Sequence, residues 1–232
     1  MRRVTSLLAL EVRLEYRYGI HAVGAILAVL WTGLLIAVPS DTARSVVPFV
    51  LFADSATIGG FLLAAIVLFE RNERVLSAII TSPVRVREYI GVKVVALTAL
   101  SIAVAVPIAV VAGREGLRLG PVLLGVALTA VLMLVLCLAL VAPQRSIIGF
   151  LTVAPWPLIP LMAIPLARSV GLLDHPLAVA VPTAAALDLI DSGFDERVHA
   201  SAAAVAYLLA WIGACGVLAR RRFEAAVRAS GG

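Results

Sequence analysis

Charge is what this sequence has least of. Only 14% of its 232 residues are Asp, Glu, Lys or Arg, while 62% are hydrophobic and the mean hydropathy is +1.07, and soluble domains usually carry about 25% charged residues. That scarcity excludes an ordinary water-soluble domain. Lysine is almost missing: Lys93 stands alone, and no Gly-x-x-x-x-Gly-Lys-Ser/Thr loop surrounds it, so the chain is not its own P-loop ATPase. His21, His175 and His199 are scattered, and neither His-Glu-x-x-His nor Gly-x-Ser-x-Gly occurs, which argues against an enzyme that works alone. Cys137 and Cys215 lie within apolar runs at neither metal nor redox spacing and read as packing residues. No internal repeat is present, and no pair of matching interrupted helices marks an inverted-repeat carrier.

Long apolar runs are abundant. A hydrocarbon core of about 30 Å takes roughly 20 helical residues to cross. Six runs qualify: Ile20 to Val38, Val46 to Phe69, Ile90 to Ala112, Leu119 to Val141, Ile147 to Val170 and Ala200 to Ala219. They are continuous rather than alternating, which favours helices over barrel strands. The expected fold is an all-α polytopic membrane protein of six transmembrane helices in one domain, 1–232.

The opening MRRVTSLLALEVRLEYRYG is basic like a signal peptide, but Glu11, Arg13, Glu15 and Arg17 interrupt any apolar core, so it is expected to be retained. Val4, Leu7, Leu8, Val12 and Tyr16 recur at helical spacing, so residues 1–19 read as an amphipathic helix in the interface, or as a plain lead-in to the first run. Orientation follows from the basic residues. Placing both termini in the cytoplasm leaves only Arg44, Arg114, Arg118, Arg168 and Arg197 of the 19 on the outside, the arrangement that the positive-inside rule selects. The net charge of +5 then marks topology and anionic lipid rather than nucleic acid.

Residues 171–199 form an acidic outer segment in which VPTAAALDLIDSG, opened by Pro182 and closed by Gly193, reads as one short helix. Its acids do not follow calcium-loop spacing. The fifth run carries Pro155, Pro157, Pro160 and Pro165, so it is expected to kink or break, as a hinge or as a proline-tolerant membrane helix. Asp54, beside Ser55 and Thr57, is the one acid well within a run. It reads either as a group lining a polar substrate pathway or as an interface residue of a span that begins near Ala53.

Between the second and third runs stands FERNERVLSAIITSPVRVREY, residues 69–89. Glu70, Arg71, Glu73 and Arg74 precede Val75, Leu76, Ile79 and Ile80, which share one side of a helix, and Glu70 and Arg74 form an i, i+4 pair. Thr81-Ser82-Pro83 stops that helix and can start another. A charged topogenic loop would need neither an apolar face nor a proline-defined turn, whereas a docking element needs both charge and a rigid face.

The order Glu70, Glu73, Leu76, Thr81, Pro83, Glu88, Lys93 resembles the pattern of the type-2 ABC export permeases, with Val75 where members often carry Gly or Thr. The six runs, the amphipathic opening and the outer segment match that layout, and the chain most resembles the small permease subunits of fluoroquinolone and related drug exporters. The resemblance implies an elbow helix at 1–19 and a coupling helix within 70–89 in a bacterial plasma-membrane protein. ATP and Mg would sit on a separate P-loop ATPase subunit, and the chain itself would bind no cofactor or metal and hold no catalytic residue. A second permease, a copy or a paralogue, would complete a drug-exporting complex for a small amphipathic substrate. Glu70, Glu73 and Arg74 would then make polar contacts, Leu76, Ile79 and Ile80 would pack, Pro83 would fix the turn, and Thr81, Glu88 and Lys93 would belong to the same ATPase-coupling set. The alternative is an ion-coupled or facilitative carrier, for which Asp54 would be the working group.

Overall fold

The computed structural model describes residues 2–72, 86–113, 116–144, 146–173, 175–195, 198 and 201–230, and among these it contains no β-strand. Helix α1 covers Arg2–Arg17 and α2 covers Ile20–Ala37. Between them Gly19 adopts φ 73°, a left-handed conformation that costs glycine little, so the chain changes direction within two residues. After Pro39, α3 (Ser40–Thr57) passes through a π-helical turn at Ile58–Leu62 into α4 (Leu63–Asn72). Next come α5 (Val86–Gly113) and α6 (Leu119–Val141), then α7 (Ile147–Val153) and α8 (Pro155–Ser169). A 3₁₀ turn at Pro176–Ala180 precedes α9 (Pro182–Asp191), and α10 (Ala202–Ser230) completes the described chain.

Among the described residues, five helical stretches are long and apolar enough to cross a membrane: Ile20–Ala37, Ser40–Arg71, Arg87–Gly113, Leu119–Val141 and Ala202–Ala226. Taken as one span, α7 and α8 make a sixth, bent by 48°. The break expected from the prolines is therefore present, next to Pro155, which begins α8, and Ser146 starts α7 by accepting the Gly149 N–H at 3.1 Å. The second span is longer than its apolar run, because Ser40–Val46 joins the helix despite Asp41 and Arg44. Similarly α10 continues past Ala219 through Arg220, Arg221 and Arg222.

Helix α6 is the axis of the bundle. It touches α3, α4, α5, α9 and α10, and Val122, Val126, Ala130, Met133, Leu134, Cys137 and Leu138 are all buried. Close approach is set by small residues. A Cβ on Gly125 would lie 3.0 Å from the Ile190 backbone nitrogen of α9, and one on Gly59, in the π turn, 2.9 Å from the Ala130 carbonyl oxygen. Such contacts replace the hydrophobic drive that helices lack in lipid. By contrast α2 and α10 keep apolar faces exposed, with Ile26, Val29 and Leu30 on one and Leu209, Val217 and Leu218 on the other, as suits surfaces against acyl chains. Both chain ends come to the same end of the bundle: α1 meets the end of α4 and the start of α5, and Phe223 near the end of α10 packs on Tyr89 of α5 at 5.7 Å between rings.

Candidate functional site

At that end, three elements converge on one ammonium group. Tyr89 and Lys93 lie one turn apart on α5, and Glu11 and Glu15 one turn apart on α1, so each pair shares a helix face. Lys93 Nζ donates to Glu11 Oε1 at 2.6 Å and to Glu70 Oε1, on α4, at 2.7 Å. The Tyr89 hydroxyl donates to the other oxygen of Glu70, and Nζ lies 4.9 Å from the Tyr89 ring centroid. Glu70, Lys93 and Glu15 are each 1% exposed and Glu11 5%. In such a place charges are tolerated only when paired and hydrogen-bonded, and Glu70 and Lys93 meet that demand completely.

Glu15 is less well served. Its Oε2 is 3.8 Å from His21 Nε2, and its Oε1 is buried with no hydrogen-bond partner among the described residues. Burial raises its pKa to about 7, the Glu11 carboxylate adding to the rise and Lys93 opposing it. Burial also raises Glu11, against the pull of Lys93.

Two arginines close the adjacent end of α6. Arg71 of α4 donates to the carbonyls of Gln144 and, at 3.0 Å, Ala142, while Arg222 of α10 reaches the Ala139 carbonyl at 3.3 Å. Those carbonyls lack helical partners and sit at the negative end of the helix dipole, where cations are favoured.

Of the residues expected to couple the chain to a partner, the structure brings Glu70 and Lys93 together and leaves Glu88 half-buried in the first turn of α5. Glu73, Arg74, Leu76, Ile79, Ile80, Thr81 and Pro83 lie outside the described residues. Sequence reasoning missed Glu11, Glu15, Tyr89 and His21 as members of the cluster. The available signal was the i, i+4 spacing of Glu11 with Glu15 and of Tyr89 with Lys93.

Asp54 lies apart from this cluster. It is buried on α3, four residues before the π turn, and faces the Trp31 indole of α2. The helix that carries it starts at Ser40, well before Ala53. Ser55 and Thr57 donate to the Leu51 and Ala53 carbonyls of their own helix at 2.5 and 2.7 Å rather than adding to a polar lining.

At the opposite end, α9 is gripped through the carbonyls that follow it. Arg44 Nε donates to the Phe194 carbonyl at 2.9 Å, Arg118 donates to the Ser192 carbonyl, and Arg168 pairs with Asp188 at 2.9 Å. Beside them opens a cleft of about 730 Å³ lined by Asp41, Arg44, Phe49, Ser169, Asp191 and Phe194. Along the bent span, a second groove of about 700 Å³ is apolar, bounded by Phe61, Leu158, Ile159, Met162, Leu166 and Val170.

The chain matches the model of the fluoroquinolones export permease protein family over residues 2–230. It is also 31% identical, over 196 residues, to the fluoroquinolones export permease proteins of Mycobacterium tuberculosis strains CDC 1551 / Oshkosh and ATCC 25618 / H37Rv. Each alignment covers 84% of this chain and 83% of the relative.

Proposed function

The chain belongs to the fluoroquinolones export permease protein family, and on that premise we propose that it is the membrane-spanning subunit of an ATP-driven exporter. Its cargo is a small amphipathic drug-like molecule, and its energy comes from a separate P-loop ATPase. The permease contributes no catalytic residue. It sits in the bacterial plasma membrane with both termini cytoplasmic, and two permeases, identical or paralogous, complete the transport path.

The observation that carries this reading is the buried knot of Glu11, Glu70, Tyr89 and Lys93. It stands where the connector of residues 73–85 leaves α4 and returns as α5. A push on that connector from a docked ATPase meets a base in which α1, α4 and α5 are joined by paired charges, so the push moves helices rather than bending a loop. On this reading Glu73 and Arg74 make the polar docking contacts, Leu76, Ile79 and Ile80 pack on the partner, Thr81 and Pro83 set the turn, and Glu88 steadies the return. Asp54, buried against Trp31, is a candidate lining group for cationic cargo.

The test is co-expression with the P-loop ATPase and reconstitution in proteoliposomes. Replacing Glu73 and Arg74 together by Ala should leave both chains inserted and ATP still hydrolysed while export falls tenfold or more, about 1.4 kcal/mol or more of lost coupling. Undiminished export by that variant would overturn the docking role. Export driven by a proton gradient with no ATPase present, and lost on Asp54→Asn, would replace the whole reading with that of an ion-coupled carrier.

A further inference from the structure

Glu70 and Lys93 satisfy one another with Glu11 and Tyr89, but Glu15 has no such set of partners. Its side chain is 2% exposed, Oε1 has no hydrogen-bond partner among the described residues, and Oε2 reaches only to 3.8 Å from His21 Nε2. His21 Nδ1 is buried and unpartnered among the described residues as well. The charged and titratable groups that face Glu15 come from each element packed on α1. His21 comes from α2 and Lys93 from α5, with Glu11 one turn away on α1 itself, while Tyr89 of α5 and Glu70 at the end of α4 bind one another, Glu70 also holding Lys93. Arg71 turns its guanidinium to the Ala142 and Gln144 carbonyls, and Arg13 and Arg17 are exposed.

Three carboxyl groups thus surround one ammonium. Lys93 already contacts two of them, so an ionised Glu15 would be a buried anion without its own cation, a state that costs several kcal/mol in a low-dielectric site. A proton removes that charge and turns an unpartnered acceptor into a group able to donate. The buried His21 nitrogen beside it shows that this corner is polar on both sides yet holds too few partners for its polar atoms.

We propose that Glu15 is a proton-binding site at the α1 junction, and that a proton held there fastens α1 to α5 while its loss loosens α1. The proton is taken from water at the membrane surface and converts the carboxylate to a carboxylic acid, with no other bond made or broken. Loading removes the repulsion between Glu15 and Glu11 and leaves Lys93 to balance Glu11 and Glu70. With a pKa raised to about 7 by burial and then by Glu11, the site is close to half-loaded at neutral pH. Because the value in the packed helix lies above the ordinary glutamate value of 4.5, the stabilisation of the packed helix is complete below about 4.5 and is lost as pH rises through about 7. The site is independent of which molecule is exported.

The experiment uses the full-length chain in lipid nanodiscs. Infrared difference spectra of the protonated carboxyl stretch, taken over about pH 5 to 9, should show one carboxyl that titrates near neutrality and disappears in Glu15→Gln. Hydrogen exchange, corrected for its intrinsic pH dependence, should report protection of residues 6–17 that falls at least tenfold as pH rises in the wild-type protein. In Glu15→Gln, which mimics the loaded acid, protection should stay high throughout. Should Glu15→Gln fail to insert, Glu11→Gln serves as the second variant. By removing the like charge it should move the carboxyl midpoint to lower pH. An unchanged carboxyl signal in Glu15→Gln, a flat wild-type protection profile, or an unmoved midpoint in Glu11→Gln would overturn the proposal. Because none of these readouts involves export or ATP, failure here is distinguishable from failure of the exporter reading.

Discussion

Lys93, the only lysine in the chain, lies in its interior. An ammonium suits the place better than a guanidinium. It is compact, and its three donors can divide between the Glu11 and Glu70 carboxylates while the charge stays over the Tyr89 ring. Removing one partner of a buried ion cluster strands the others, so Lys93→Met should lower stability by about 3–5 kcal/mol. Adding Glu11→Gln and Glu70→Gln to that variant should recover most of the loss, because no charge is then left uncompensated. Thermal unfolding in detergent, followed by circular dichroism, measures both, and an additive triple variant would show that the charges are not coupled. Glu70 and Lys93 were legible in the sequence because a family pattern passes through them. Glu11 and Glu15 were not, because an amphipathic pattern says only that charges and apolar residues lie on different faces. It does not say which face meets protein. Here Tyr16 is 77% exposed, a position suited to lipid, and the carboxylates of α1 turn inward to Lys93 and His21.

The prolines of the bent span show how elements share backbone partners. Pro165 has no N–H to give the Leu161 carbonyl one turn earlier, and in a bilayer that oxygen has no water to accept from. Thr183, in the first turn of α9 and fully buried, donates its hydroxyl to it. The short helix α9 is therefore part of the solution to a helix defect in the neighbouring span. Thr183→Val, close in shape, should cost about 1–3 kcal/mol by leaving the carbonyl unpaired. Pro165→Ala restores the helical N–H, so Thr183→Val should cost far less in that background. Equal losses in both backgrounds would break the link. At this scale the sequence was informative: a break in the fifth span and a helix begun by Pro182 follow from where proline can stand, and both are present. The π turn at Ile58–Leu62 had no such signal, because Gly59 and Gly60 mark close approach without saying which helix approaches.

Across the whole molecule the basic residues divide between two uses, which sharpens the argument for orientation. At the end without the termini, Arg44 and Arg118 are held by carbonyls after α9, and Arg168 by Asp188. Arginines engaged in this way fasten a helix in the finished fold. At the other end Arg13, Arg17, Arg87, Arg220 and Arg221 are exposed, placed to meet anionic headgroups or to hold the end back from translocation. The two ends therefore differ by more than their arginine counts. With both native thiols buried, single cysteines can report which end faces the cytoplasm. A membrane-impermeant maleimide should label Ser6→Cys at least tenfold faster in inverted vesicles than in right-side-out ones, and Ser201→Cys, before α10, with the opposite preference. Labelling of both from the same side would require an even number of passes between them, which leaves α7 and α8 as a re-entrant pair rather than a span. Reversed preferences at both sites would keep six passes and overturn the positive-inside assignment.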